Sequence, residues 1–163
     1  MEENQINPEY EARVGRAVAY FKEGYNCSQS VVAAFADLFG YTPEQAFRMA
    51  ASFGGGIGRM RQTCGAACGV FLLAGLDTGS TRGDDREGKA HNYAVVQQLA
   101  EQFRQESGSL ICAELLGLKK PEGTHEPEAR TAAYYQKRPC AMMVETAARL
   151  FARYLSESKQ AGE

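Results

Sequence analysis

Residues 26–45 read NCSQSVVAAFADLFGYTPEQ. Asn26 is a helix-capping residue type, and Val31, Val32, Phe35, Leu38 and Phe39 follow it at the spacing of one buried helical stripe. Gly40 supplies the stop that helices favour just past their last turn. Thr42-Pro43-Glu44-Gln45 then combines a capping box with proline at the first helical position, so a new helix begins and runs to about Ser52. Two helices joined so closely predict a helical fold.

The same signals recur on both sides. Asn7-Pro8 opens a helix with Val14, Val18 and Phe21 on its apolar face, ending near Gly24. Gly54-Gly55-Gly56-Ile57-Gly58 interrupts regular structure, and a short link through Arg59 and Arg61 leads to a helix carrying Val70, Phe71, Leu72 and Leu76. A polar turn over 78–84 precedes a long helix from about Asp85 to Ser107, with Tyr93, Val96, Leu99, Ala100 and Phe103 at helical spacing. Ser109 to Leu116 reads as a short helix closed by Gly117, Lys119 to His125 as a loop, and Glu126 to Tyr135 as one more short helix. The last helix starts at Pro139 and carries Met142, Met143, Ala147, Leu150, Phe151 and Leu155. Few segments alternate with the period of a strand. The expected fold is all-α, a compact bundle of about six or seven helices. It is read as a single helical domain over residues 1–163, with its core at about 8–157.

A length of 163 residues suits a core built without disulfide staples. A net charge of -2 supplies no basic face for nucleic acid. No apolar run approaches the ~18 residues of a membrane span, and the first residues lack a secretory leader, so no membrane insertion and a cytoplasmic location are expected. In a reducing compartment, five cysteines point to catalysis or metal binding before disulfides.

Four of those cysteines fall where helices are predicted to begin: Asn26-Cys27, Thr63-Cys64, Cys112 after Ser109, and Pro139-Cys140. Unpaired amides and the helix dipole favour negative charge there, which favours thiolate, the form that attacks disulfides and binds metals. Cys27, Cys64, Cys112 and Cys140 are therefore the candidate metal ligands, or redox thiols where no metal is held. Four thiolates are the usual ligands of iron–sulfur clusters and of structural zinc. Helical bundles build such sites from side chains on facing helices. No C-x₂-C pair is present, so only convergence in space could complete the set.

Gly55, Gly56 and Gly65 are the candidates for a backbone lining, because glycine lets a chain pass close to a ligand. Arg59 and Arg61 add positive charge nearby. The glycine run lacks the preceding strand and following Gly-Lys-Ser/Thr that a nucleotide loop requires. Cys68 lies one turn after Cys64 and reads as a small packing residue. His91 and His125 read as solvated, Met142 and Met143 as core or interface filler, and Tyr134-Tyr135 as one exposed and one buried ring. Residues 83–89 read as a solvated helix entrance.

Together, Cys27 in Asn26-Cys27-Ser28-Gln29-Ser30, the run Phe53-Gly54-Gly55-Gly56-Ile57-Gly58-Arg59 before Cys64-Gly65-Ala66-Ala67-Cys68-Gly69, Cys112 before Ala113-Glu114-Leu115-Leu116-Gly117, and Pro139-Cys140 resemble the C_GCAxxG_C_C family of redox-active proteins. The resemblance covers roughly Ala17 to Leu155 and implies a small helical protein of redox or iron–sulfur character. Cys68 occupies a variable position of that pattern. The leading expectation is electron transfer through an iron–sulfur cluster or another thiolate-bound metal on the four cysteines, with an unidentified redox partner. A metal-free thiol–disulfide oxidoreductase or redox sensor, and a structural zinc or interaction module, remain as alternatives. No hydrolase or transferase signature is present, and a homodimer is left open.

Overall fold

The computed structural model describes residues 5–119 and 123–161. Lys120, Pro121 and Glu122 of the expected loop lie outside them. Eight α-helices are present among the described residues: α1 (Pro8–Lys22), α2 (Cys27–Phe35), α3 (Pro43–Ala50), α4 (Gly65–Thr78), α5 (Arg86–Ser107), α6 (Cys112–Leu115), α7 (Ala132–Lys137) and α8 (Cys140–Ala161). Two 3₁₀ turns, Ala36–Phe39 and Ala51–Phe53, extend α2 and α3. The described residues form no strand, and the all-α reading holds.

The caps act as the residue types dictate. Asn26 accepts from the Gln29 amide while the Gln29 side chain accepts from the Asn26 amide, and Thr42 and Gln45 form the same reciprocal pair. Gly40 closes the first 3₁₀ turn at φ 86°, in the left-handed region. The Asn26 side chain also donates to the Ala51 carbonyl, so the cap of α2 ties down the end of α3.

Helix α2 is central: seven of its residues after Cys27 are buried, and it packs on α1, α3, α4 and α8. Helix α8 in turn lies against α1, α4 and α5. The core runs through Phe21, Val31, Phe35, Leu73, Leu99, Phe103, Val144 and Phe151. Phe35 meets Phe151 edge-on with centroids 5.1 Å apart, a preferred aromatic geometry. Arg13 is buried on α1, where it donates to the Ala34 carbonyl and pairs with Asp37. This holds the Asp37 carboxyl below its ordinary range and fixes α1 to the end of α2.

Some predicted faces are rotated. Tyr93 is 60% exposed; Val95, Leu99 and Phe103 form the buried seam of α5. A helix period cannot tell which of two adjacent apolar positions turns inward until the neighbouring helix is placed. Met142 is 65% exposed for the same reason, and Met143 takes the inner place. The helix expected over Glu126–Tyr135 forms only from Ala132, capped by Thr131, and 124–131 has no regular secondary structure. No helix among the described residues is long and apolar enough to cross a membrane.

The Phe151 ring is fully buried between Phe35, Phe39 and Tyr154. Phe151→Ala should lower unfolding free energy by about 3–5 kcal/mol, the usual loss for a buried Phe. A urea denaturation midpoint shifted without a change in slope would show it.

Candidate functional site

The four cysteines named from helix starts line one cavity of about 310 Å³. Each enters it from the start of a different helix. Cys27, Cys112 and Cys140 are the first residues of α2, α6 and α8. Cys64 differs from expectation by one position: it is itself the N-cap of α4, with Thr63 outside the helix. The Cys64 side chain makes no capping hydrogen bond, although the nearby Ala67 and Ala66 amides favour its ionised form. Ser109 likewise is not the cap of α6. Ile111 holds that position, and the Ser109 hydroxyl accepts from the Ile111 amide at 3.0 Å.

Chain segments far apart in sequence are sewn together beside the cavity. Thr63 and Ile111 form an isolated antiparallel bridge. The Cys64 amide donates to the Leu110 carbonyl at 2.7 Å, and the Cys112 amide to the Gln62 carbonyl at 2.6 Å. Two cysteines separated by nearly fifty residues therefore share one backbone frame.

The glycine run makes that frame fit. Gly55, Gly56, Ile57, Gly58 and Arg59 all have φ between 57° and 74°, and Arg61 follows at 60°. Five consecutive residues thus wind left-handed, a conformation that costs non-glycine residues about 1–2 kcal/mol each. Ile57, Arg59 and Arg61 bear that strain. Hydrogen bonds from the Arg61 amide to Gly55 and from the Gln62 amide to Gly56, at 3.2 and 2.9 Å, close the turn. Of the predicted lining, Gly55 and Gly65 lie on the cavity wall. Gly56 stands behind Cys112, where an added Cβ would lie 2.6 Å from the Cys112 Cβ. A Cβ on Gly65 would meet the Cys27 sulfur at 2.6 Å and the Phe53 carbonyl at 2.7 Å. Both glycines are spaces that let a cysteine approach.

The opposite wall was not legible as a site in the sequence. The irregular segment 123–131 and the start of α7 bring Arg130 and Tyr134 to the cavity, and Arg138 follows. Arg130 donates to the carbonyls of Phe21 and Tyr25 at 2.9 and 3.0 Å and lies 4.2 Å over the Phe21 ring. Glu128 pairs with Arg138 and, at 3.8 Å, with Arg59, which also donates to the Thr124 carbonyl. The Tyr134 hydroxyl favours the ionised form of Cys140, and Arg61 Nη1 lies 3.7 Å from the Cys112 sulfur, to which it donates. Tyr134 and Tyr135 are both half-buried, in place of the expected exposed and buried pair. Among the described residues, Arg59, Arg61, Arg130 and Arg138 line the cavity together with the carboxylate of Glu128, an arrangement that favours an anionic occupant.

The expected thiolates are corrected. Burial pushes the Cys64, Cys112 and Cys140 thiols up, the last to about 11, and the neighbouring Cys27 sulfur opposes ionisation further. Arg61 draws Cys112 back down, as Arg138 and Tyr134 do Cys140, without overcoming burial. The helix ends alone do not ionise sulfurs so deeply removed from water. Among the described residues, no three His, Cys, Asp or Glu side chains gather closely enough to hold one metal ion.

Cys68 takes no part in the cavity. It lies in a separate apolar groove with Phe53, Phe71 and Leu72, its thiol pushed up by burial to about 11. His91 is exposed on α5, and His125 is exposed at the rim of the cavity.

A family model described as "Putative redox-active protein (C_GCAxxG_C_C)" matches residues 25–154, and the chain belongs to that family. No curated protein and no solved structure matches it.

Two outcomes follow from this geometry. Gly65→Ala should force Cys27 and the Phe53 carbonyl apart and destabilise the chain by about 1–3 kcal/mol, the usual cost of overpacking. Thermal melts of Gly65→Ala beside Gly15→Ala, where an added Cβ meets nothing within 4 Å, isolate that contact. The second outcome concerns pH. A folded thiol at about 11, above its ordinary 9.0, keeps its proton where the unfolded chain has lost it. The metal-free chain should therefore lose stability as pH rises from about 9 to about 11, and Cys140→Ser should flatten the decline in melting temperature.

Proposed function

We propose that this member of a redox-active family transfers electrons through an iron–sulfur cluster held by Cys27, Cys64, Cys112 and Cys140. The observation that carries the reading is that these four cysteines, each from the start of a different helix, line one cavity rimmed by four arginines. Such a cluster, when bound, supplies one-electron chemistry at a potential set by its surroundings.

The donor set fits the group. Thiolate ligation is the usual mode for both two-iron and four-iron clusters. A cluster spreads its ligands over several irons, so its sulfurs need not gather around one ion as those of a zinc site must. Iron binding would also displace the thiol protons that burial otherwise retains, since thiol ligands bind deprotonated. The arginines and the four helix starts would then offset the negative charge of the ligated sulfurs. Segment 123–131 would exclude water from that wall, with Arg130 fastening it to the end of α1.

Purified and reconstituted without oxygen, the protein should be brown and carry about two or four irons per chain, as these clusters require. Cys→Ser at 27, 64, 112 or 140 should reduce iron content sharply, whereas Cys68→Ser should leave it unchanged. A colourless, iron-free protein would overturn the reading. Stoichiometric zinc would point to a structural site, and reversible loss of two thiols on mild oxidation would point to thiol–disulfide exchange.

A further inference from the structure

The four sulfurs do not have equivalent surroundings. Around Cys64 the groups that favour ionisation are the neutral Ala67 and Ala66 amides, and around Cys140 they are Arg138, acting through its charge, and the Tyr134 hydroxyl. Cys112 accepts from a cation, with Arg61 Nη1 at 3.7 Å from its sulfur. Charge-assisted hydrogen bonds are roughly twice as strong as neutral ones.

Arg61 is also the most constrained of the cavity's arginines. The residue is 5% exposed and its backbone sits at φ 60° at the end of the left-handed turn. Its amide donates to Gly55, and its carbonyl accepts from Ala113, the residue after Cys112, at 3.2 Å. A Cβ on Gly56 would lie 2.8 Å from the Arg61 Cα and 2.6 Å from the Cys112 Cβ, so glycine at 56 lets the two close together. A buried arginine on strained backbone, bonded on both sides into the turn of one cysteine, is a device for that cysteine. Simple solubility or packing would need none of it.

We infer that Arg61 is a positioning residue that orients the Cys112 sulfur and raises the reduction potential of the site by placing a fixed positive charge beside that one ligand. The inference rests on the cluster reading above. Reduction adds one negative charge to the loaded site, and a cation bonded to a ligating sulfur stabilises the more negative state. No bond in the chain forms or breaks in that step. Guanidinium keeps its proton throughout, because its pKa lies far above neutrality.

The test is a spectroscopically monitored redox titration of the reconstituted full chain, with dithionite as electron donor, for wild type, Arg61→Gln, Arg61→Lys and Arg82→Gln. Arg82→Gln removes the same charge from an arginine whose side chain is 74% exposed in the turn before α5. Arg61→Gln should give a more negative potential than wild type at unchanged iron content, and Arg82→Gln should not move it. Arg61→Lys should shift the same way by less, because an ammonium lacks the planar fork that reaches the sulfur. An iron-replete Arg61→Gln at the wild-type potential would overturn the inference while leaving the cluster reading intact. Were Arg61→Gln unable to hold iron, Arg61→Lys decides alone: a negative shift supports the inference and an unchanged potential overturns it. An iron-free wild type overturns both.

Discussion

The left-handed turn at residues 55–61 is the constraint on which the site depends. It strains three non-glycine residues by about 1–2 kcal/mol each, against net stabilities of about 5–15 kcal/mol for whole domains. Such a turn persists only because the bonds around it overdetermine it. Amides of Cys112 and Ala113 donate to carbonyls at its end, and the Leu110 carbonyl receives the Cys64 amide just beyond. The turn is thus a clasp that holds the starts of α4 and α6 to one another. Without it, nothing in helix packing would bring a four-residue helix to the mouth of a fourteen-residue one.

Helix packing does account for the other two sulfurs. Helices α2, α4 and α8 pack on one another pairwise, and their first turns lie at the same cavity. Burial of α2 on nearly every side leaves its first residue little freedom, so Cys27 is placed by the core itself. Gly65 and Gly69 then let α4 approach α2 closely. An added Cβ would meet Cys27 Sγ at the first and the Val31 side chain at 2.9 Å at the second. Small residues at those two positions therefore set both core density and sulfur spacing.

Legibility in the sequence followed the range of the forces. Caps, glycine stops and apolar spacing are local signals, and they placed the helices through α5 to within a residue or two. The four cysteines could be named from helix starts alone, and the structure brings all four to the lining of one cavity. What remained hidden was everything that depends on several segments at once. Tyr93 and Met142 are apolar by type but turned outward, because a neighbouring helix decides the face. Glu128, Arg130 and Arg138 lie in a stretch with no periodicity, and only their contacts with Phe21, Tyr25 and Arg59 make them part of the site. The left-handed backbone of Ile57, Arg59 and Arg61 had a partial signal in the neighbouring glycines, but nothing in their side chains announces it.

The expected thiolate character meets opposition from burial, and that opposition sharpens the chemistry. A helix start offers partial positive charge worth under a unit or two of pKa, since such dipole effects amount to about 0.3–2 kcal/mol. Burial among other sulfurs opposes that and prevails at Cys64, Cys112 and Cys140. A thiol whose ionisation is opposed by burial is a weaker nucleophile than a thiolate, which weighs against exchange chemistry at these three positions. The proposed cluster, bringing its own positive charge, would reverse the balance: it would draw off the protons and leave the arginines facing negative sulfurs. The same burial that disfavours free thiolate would also keep water from the ligated sulfurs.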